Sequence, residues 1–320
     1  MPSPSTPIPQ VSIGLPVYNG EAFLEIAIRS AMEQTYGDFE LILCDNASTD
    51  GTQAICAEWA ARDPRVRWAR SEVHTGAARN FNRAFGLARG QYFRWAAHDD
   101  LTAPTFLERC VERLSEDHRI ALVHSEMVEI DEQGRVTRDL GWPIQDGNSP
   151  DLAKRFAGAI DLGHGCFDVF GLIRRSALAK TKLIAPYLGS DRVLLAELAL
   201  LGRLVRVDEV LFQSREHPQR SIRMRSDSAR DQWFAAGRPS TKFRPGWRRL
   251  GAVRNAVANA ELSVGDRVRC QAQIAKWALQ QRGTLYREML GRGRPGDVNE
   301  KSPPPEPISD STPVPGTERG

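Results

Sequence analysis

The stretch Gln91-Tyr-Phe-Arg-Trp95-Ala-Ala-His98-Asp99-Asp100-Leu101 decides how this chain is read. An apolar, aromatic run ends abruptly in two adjacent carboxylates, the pattern of a buried strand that delivers acid to the rim of a sheet. In open α/β sheets ligands collect outside the carboxyl ends of the strands, so acids placed there meet substrate. Carboxylates are also the hard oxygen ligands that Mg²⁺ and Mn²⁺ take, usually with substrate phosphates completing the shell. One expectation is therefore a metal held between protein acid and a diphosphate. The plainer one is that Asp99 and Asp100 cap a helix beginning near Ala103 and Pro104, where such residues are common.

Strand and helix signals alternate on both sides of this stretch. Upstream, Val11 to Val17 reads as a strand with a turn at Tyr18-Asn19-Gly20. A helix follows over 21–34, with Phe23, Ile26, Ala27 and Ala31 at helical spacing. Phe39 to Cys44 is a second strand, running into Asp45-Asn-Ala-Ser48-Thr-Asp50-Gly-Thr52. A helix to Ala61, a strand over 66–69 and a helix over 75–88 complete this part. Downstream the pattern predicts a helix over 104–115, a strand over 120–124, a hairpin turn at Asp131-Glu-Gln-Gly134 and a helix over 151–159. A strand over 169–173 follows, then a helix opened by Ser190 as its N-cap and one or two short strands over 203–212. An Arg-dense loop with a short helix (215–230) and two helices (245–290) end the pattern. Such alternation predicts an α/β fold with a mostly parallel sheet and helices on both faces. The expected organisation is a disordered leader (1–10), a nucleotide-binding half (11–100) and an acceptor half of the same domain (101–225). Beyond these come a basic helical extension (226–290) and a disordered Pro/Gly-rich tail (291–320).

Composition excludes several classes. With 320 residues, 41% hydrophobic and 26% charged, the chain is neither fibrous nor wholly disordered. A formal charge of +3 makes no case for a nucleic-acid partner, but residues 238–297 hold 13 Lys or Arg against 4 Asp or Glu, so that segment is drawn to something anionic. The five cysteines are scattered without CxxC spacing, which suggests neither a disulfide framework nor a zinc site and fits a reduced, cytoplasmic setting. No signal peptide and no membrane-spanning run are read. Any membrane contact is therefore expected to be peripheral, on the inner face of the plasma membrane. Trp247-Arg-Arg-Leu250 and Lys276-Trp277 mix aromatic and basic residues as interfacial helices do, although tryptophans at such positions also serve as core.

Several separated motifs carry a family likeness. Val11-Ser-Ile-Gly-Leu-Pro-Val-Tyr-Asn-Gly20, Ala31 to Thr52, Gly76-Ala-Ala-Arg-Asn80 and His98-Asp99-Asp100 stand in the order and spacing of family 2 glycosyltransferases. Over roughly residues 10–220 the chain resembles that family's GT-A fold. The resemblance implies an inverting, metal-dependent transfer of a sugar from a nucleoside-diphosphate donor to a hydroxyl of a carbohydrate or lipid-linked acceptor, in cell-surface glycan or glycolipid synthesis. The alternative is a catalytically inactive nucleotide-sugar or glycan-binding module of the same fold.

Residue by residue, the resemblance implies that Pro16, Val17, Tyr18 and Asn19 line the nucleotide pocket and that Asp45 hydrogen-bonds the base. An aspartate there equally caps its own loop. Asp50 is expected to shape a turn. Arg79 and Asn80 face the pocket, with Arg79 able to pair with the diphosphate, or else standing on an exposed helix face. His98-Asp99-Asp100 looks like a variant of the family's Asp-x-Asp element. Asp100 is assigned to the metal, Mn²⁺ or Mg²⁺, and Asp99 to the donor ribose or a metal-bound water, with His98 a packed neutral histidine or a further ligand of the metal. Asp191 occupies the place of the general base, with Asp168 and Glu197 as fallbacks, although the helix dipole favours an acid there without catalysis. His217 matches a late motif that approaches the metal and diphosphate. Arg215, Arg220, Arg223 and Arg225 beside it are able to clamp phosphate or to form a solvated basic loop.

Overall fold

Val11-Ser-Ile-Gly-Leu-Pro-Val17 forms β1 (Val11–Val17), buried along its whole length, as expected of a strand covered on both faces. The structure, a computed structural model, describes residues 8–141, 144–220, 223–224, 227–235 and 244–291. Most of the proposed leader and tail lie outside these residues. The leader's last residues are ordered: Pro9 is buried and the Gln10 carbonyl accepts the Tyr92 amide.

After β1 come α1 (Leu24–Met32), β2 (Phe39–Asp45), α2 (Thr52–Arg62), β3 (Val66–Arg70), α3 (Ala77–Leu87) and β4 (Tyr92–Trp95). Then follow β5 (Leu101–Thr102), α4 (Phe106–Glu116), β6 (Ile120–Ile130), β7 (Val136–Asp139), α5 (Leu152–Ile160), β8 (Leu172–Arg174), α6 (Arg175–Leu178) and α7 (Ser190–Leu201). The series closes with β9 (Arg203–Arg215), α8 (Asp227–Ala235), α9 (Pro245–Asn259), α10 (Val264–Gln280) and α11 (Arg282–Met289). One sheet runs β3-β2-β1-β4-β8-β6-β9-β5, with β7 paired to β6. The strands β3, β2, β1 and β4 are parallel, β8 is antiparallel to both its neighbours, and β6 and β9 are parallel. The sheet is therefore mixed, parallel chiefly in its first half.

Two packed faces follow. One gathers Leu24, Ile28, Trp59, Phe106 and Leu107 from α1, α2 and α4. The other gathers Ala84, Phe156, Leu194 and Leu198 from α3, α5 and α7, and continues into Val253, Val257, Ile274 and Trp277 of α9 and α10. The helical extension is thus built into the same core. Gly14 lets α3 approach β1, since a Cβ there would stand 2.8 Å from the Ala84 Cβ. All five cysteines are free and buried, spread over β2, α2, α4, the loop before β8, and α10.

Several sequence expectations are corrected. In α1 the inward face is Leu24, Ala27, Ile28 and Ala31, while Ile26 points outward, 46% exposed. The strand expected over 169–173 is a 3₁₀ turn (Phe167–Phe170) followed by the short β8. The short strands expected over 203–212 are one long β9, drawn out because β6 pairs with it through Arg215. Ser190 is not the N-cap of α7. Gly189 holds that position with φ +85°, and the Ser190 hydroxyl is buried with no hydrogen-bond partner among the described residues. The two helices expected over 245–290 are three, broken at Gln281. No helix among the described residues is long and apolar enough to cross a membrane.

Candidate active site

The sheet opens where its strand order reverses. From β1 the chain steps to β2 and β3 on one side and returns to β4 on the other, which makes the β1/β4 junction the switch point of the parallel half. Pairing of β4 with β1 stops at Gly14–Trp95, whereas β2 follows β1 through Val17–Asp45. Pro16, which lacks an amide donor, therefore lies where β1 has only β2 beside it. The segments Tyr18–Gly20 and Ala96–Asp100 leave on either side of this gap.

The loop after β1 is zipped to the loop after β2. The Asn19 amide donates to Ser48 Oγ (2.9 Å), the Gly20 amide to Thr52 Oγ1 (2.9 Å) and the Thr49 amide to Asn19 Oδ1 (2.9 Å). Asn19 takes φ +49°, a conformation asparagine tolerates. Asp50 makes the turn, as expected, accepting from the Glu21 and Thr52 amides. Asp45, fully buried, accepts from the Ser48 amide (2.9 Å) and pairs with Arg70, which stands opposite it in register on β3. Pro16 and Val17 are buried. Tyr18 is 40% exposed, its ring 4.2 Å from that of His74, which presents an aromatic edge beside the gap. Asn80 is buried and donates to the Cys44 carbonyl (2.7 Å), whereas Arg79 is exposed and bonds no described residue.

His98 packs against Gly20: a Cβ on Gly20 would come within 2.7 Å of the imidazole and 2.6 Å of Val17 Cγ2. This contact joins the loop after β1 to Asp99 and Asp100. From the loop just past β9, 118 residues away in sequence, His217 brings Nε2 to 2.9 Å from Asp99 Oδ2, while its Nδ1 meets Gln219 Oε1 (3.1 Å). The Asp99 hydrogen bond holds the His217 imidazole above its ordinary pKa despite burial. Burial pushes the Asp99 carboxyl up, but the His98 and His217 rings outweigh it and hold the group below the usual carboxylate range. Asp100 accepts the Arg215 amide (2.8 Å), and burial together with the charge of Asp99 raises its pKa.

Arg215 is a strut. Only 2% exposed, it donates to the backbone carbonyls of Asp99, Asp131 and Glu132 and lies over the Phe23 ring, so it is not placed to clamp a phosphate. Arg220 and Arg223 are both engaged by Glu216. Arg225 lies outside the described residues.

Among the described residues no group of three or more His, Cys, Asp or Glu side chains forms a ready-made metal cage. The acids still fit a divalent cation completed by phosphate oxygens and water. Asp99 Oδ2 is taken by His217, but Oδ1 bonds no described residue. Asp100 is a buried acid whose ionised form a neighbouring cation would favour. His217, assigned to the metal from sequence, has both ring nitrogens engaged here and would have to release Asp99 or Gln219 to become a ligand.

Asp191 stands in the first turn of α7, partly buried, its Oδ1 accepting the Arg192 amide (2.8 Å). Arg192 fastens this helix end, donating to the carbonyls of Asp161 and His164 and lying 2.7 Å from His164 Nε2. No hydrogen bond among the described residues joins Asp191 to the Asp99–His217 pair. The fallbacks are occupied: Asp168 is buried 3.0 Å from His124 Nδ1, and Glu197 accepts the Lys182 amide (2.8 Å). Arg70, His74 and Gln219 were missed from the sequence. A strand ending in Arg beside a strand ending in Asp was a usable signal for the first; nothing local marked the other two.

A curled mixed sheet with paired carboxylates at its switch point is the architecture of a GT-A glycosyltransferase. The Glycosyl transferase family 2 model matches residues 12–181. The chain belongs to this family and is a glycosyltransferase. Chondroitin synthase of Escherichia coli is 35% identical over 138 residues, 43% of this chain and 20% of that protein. Hyaluronan synthase of Pasteurella multocida is 30% identical over 137 residues, 42% of this chain and 14% of that protein. The chain thus spans a fifth or less of these two relatives. A solved structure of S. aureus TarS 1-349 in complex with UDP-GlcNAc shares the fold at a TM-score of 0.63, with 15% identity over 87% of this chain and 79% of that one.

Proposed function

We propose that the chain performs an inverting transfer of a sugar from a nucleoside-diphosphate donor to a hydroxyl acceptor, carbohydrate or lipid-linked, in polysaccharide or glycolipid synthesis. The observation that carries this reading is the convergence of Asp99, Asp100 and His217 at the β1/β4 switch point beside the loops of Asn19 and Asp45. Acids at a switch point are suited to a diphosphate and its metal.

Pro16, Val17, Tyr18, Asn19 and Asp45 would line the nucleotide, with Asp45 held rigid by Arg70 and Ser48. The exposed Arg79 is free to turn toward the diphosphate. Asp100 would hold Mn²⁺ or Mg²⁺, with His217 able to join it on releasing Asp99, and Asp99 would meet the donor ribose or a metal-bound water. Held there, a divalent ion would supply positive charge to offset that of the departing diphosphate. Asp191 takes the acceptor hydroxyl proton as the acceptor oxygen bonds to the anomeric carbon. The bond from that carbon to the diphosphate oxygen breaks on the opposite face, its electron pair leaving with the nucleoside diphosphate.

Calorimetric titration with UDP, GDP and dTDP, with and without Mn²⁺, tests the donor half on the wild type and Asp100→Ala. The expected result is tight binding of one nucleotide that requires both Mn²⁺ and Asp100. Binding that ignores metal and substitution alike would overturn the assignment of Asp100, and no binding of any diphosphate would overturn the donor site.

A further inference from the structure

We propose that the outer face of α10 and α11 is a docking surface for an anionic lipid bilayer. On α10, Val264, Val268, Ala272, Ala275 and Leu279 recur at helical spacing and all are exposed, Val264 by 81%, Val268 by 62% and Leu279 by 67%. They fall on one side of the helix over about 22 Å. Cys270, Ile274 and Trp277 occupy the opposite side and are buried in the core. Tyr286 and Met289 of α11 and Leu290 just past it are exposed as well, by 58%, 51% and 49%. A helix with its polar positions at the margins and aliphatic residues outermost is amphipathic on a face that no described part of the chain covers.

Charge selects the occupant. Between residues 244 and 290 there are 9 Lys or Arg against 3 Asp or Glu, and one of those acids, Glu288, is buried accepting the Gly246 and Trp247 amides. Lys276 pairs with no acid among the described residues, and Arg282 and Arg287 bond backbone carbonyls, of Leu279 and Gly283. Unneutralised cations beside an aliphatic stripe match anionic headgroups above acyl chains. A nucleic acid would use the cations and leave Val264, Val268 and Leu279 without a partner. A second copy would bring two cationic rims together. The surface is independent of the donor site, and a chain docked by it would meet lipid-linked acceptors at the bilayer.

The test is cosedimentation of the full chain with phosphatidylcholine vesicles with and without phosphatidylglycerol. Binding is expected only with phosphatidylglycerol, and should weaken as salt rises from about 0.1 to about 0.5 M and screening tightens. Lys276→Glu with Arg287→Glu should lower partitioning about twenty-fivefold or more, each cation contributing about fivefold near an anionic surface. Val268→Glu with Leu279→Glu should abolish it while leaving the unfolding midpoint and Mn²⁺-dependent nucleotide binding unchanged, since both side chains already face outward. Equal binding to both vesicles, no binding, or binding unaffected by either pair would overturn the proposal. So would a dimer in sedimentation equilibrium that Val268→Glu with Leu279→Glu dissolves while the wild type ignores vesicles.

Discussion

At Gly20 a single methyl group is enough to test how the two halves of the site are joined. An alanine there would press on Val17 and the His98 ring. Overpacking of this kind costs about 1–3 kcal/mol, so Gly20→Ala should lower the urea midpoint and weaken nucleotide binding, since His98 is followed directly by Asp99 and Asp100. Asp191→Asn is expected to leave calorimetric nucleotide affinity unchanged while reducing kcat by about 10²–10⁴, the usual contribution of a general base. Single-turnover and steady-state rates on one donor would separate the two effects. The residues of the candidate site were legible where short motifs carried them: Asp45, Asp99 and Asp100 lie at or just past the ends of strands, where the chemistry is local. Their partners were not. Arg70 reaches Asp45 only because β2 and β3 are in register, and His217 reaches Asp99 across 118 residues.

At the level of elements, a buried carboxylate ties three strands together. Glu40 on β2 is 2% exposed and accepts from Ser12 Oγ on β1 (2.7 Å), Arg67 on β3 (2.7 Å) and Arg89 before β4 (2.8 Å). Burial raises its pKa, but these donors outweigh it and hold the group below its ordinary value. A depressed folded-state pKa gives stability that is complete above the unfolded value, about 4.3, and is lost as pH falls through the folded one. Glu40→Gln should therefore destabilise by about 1–3 kcal/mol at pH 7, with the two arginines partly exposed and so partly screened. The gap to wild type in urea unfolding should narrow as pH falls below about 4.3. Alternation predicted most elements, because the buried strands β1 and β2 read as continuous apolar runs. It failed where tertiary pairing set the outcome, as in the long β9, and where backbone conformation did, as at Gly189 before α7.

For the whole molecule, the helical extension is part of the core. Trp277 on α10 is 3% exposed in the same cluster as Phe156 and Leu194. Trp277→Ala should destabilise by about 3–5 kcal/mol, and sheet and extension should unfold in one transition by circular dichroism and by tryptophan fluorescence. A separate early transition for the helices would contradict this packing. The sequence marked the extension by its charge, but only the inward turn of Val253, Val257, Ile274 and Trp277 reveals that it closes one face of the sheet. The five buried thiols bear on handling and on dynamics alike. Burial pushes Cys44 and Cys270 up to about 11 and Cys56 and Cys110 up to about 12, and Cys166 well above its ordinary value. Thiolate, the form that attacks alkylating reagents and oxidants, is thus scarce at each site while the chain is folded. Labelling rates at β2, α2, α4, the loop before β8 and α10 become five separate clocks of local opening, needing no introduced probe. A protein that keeps these thiols silent should also tolerate peroxide without losing its fold.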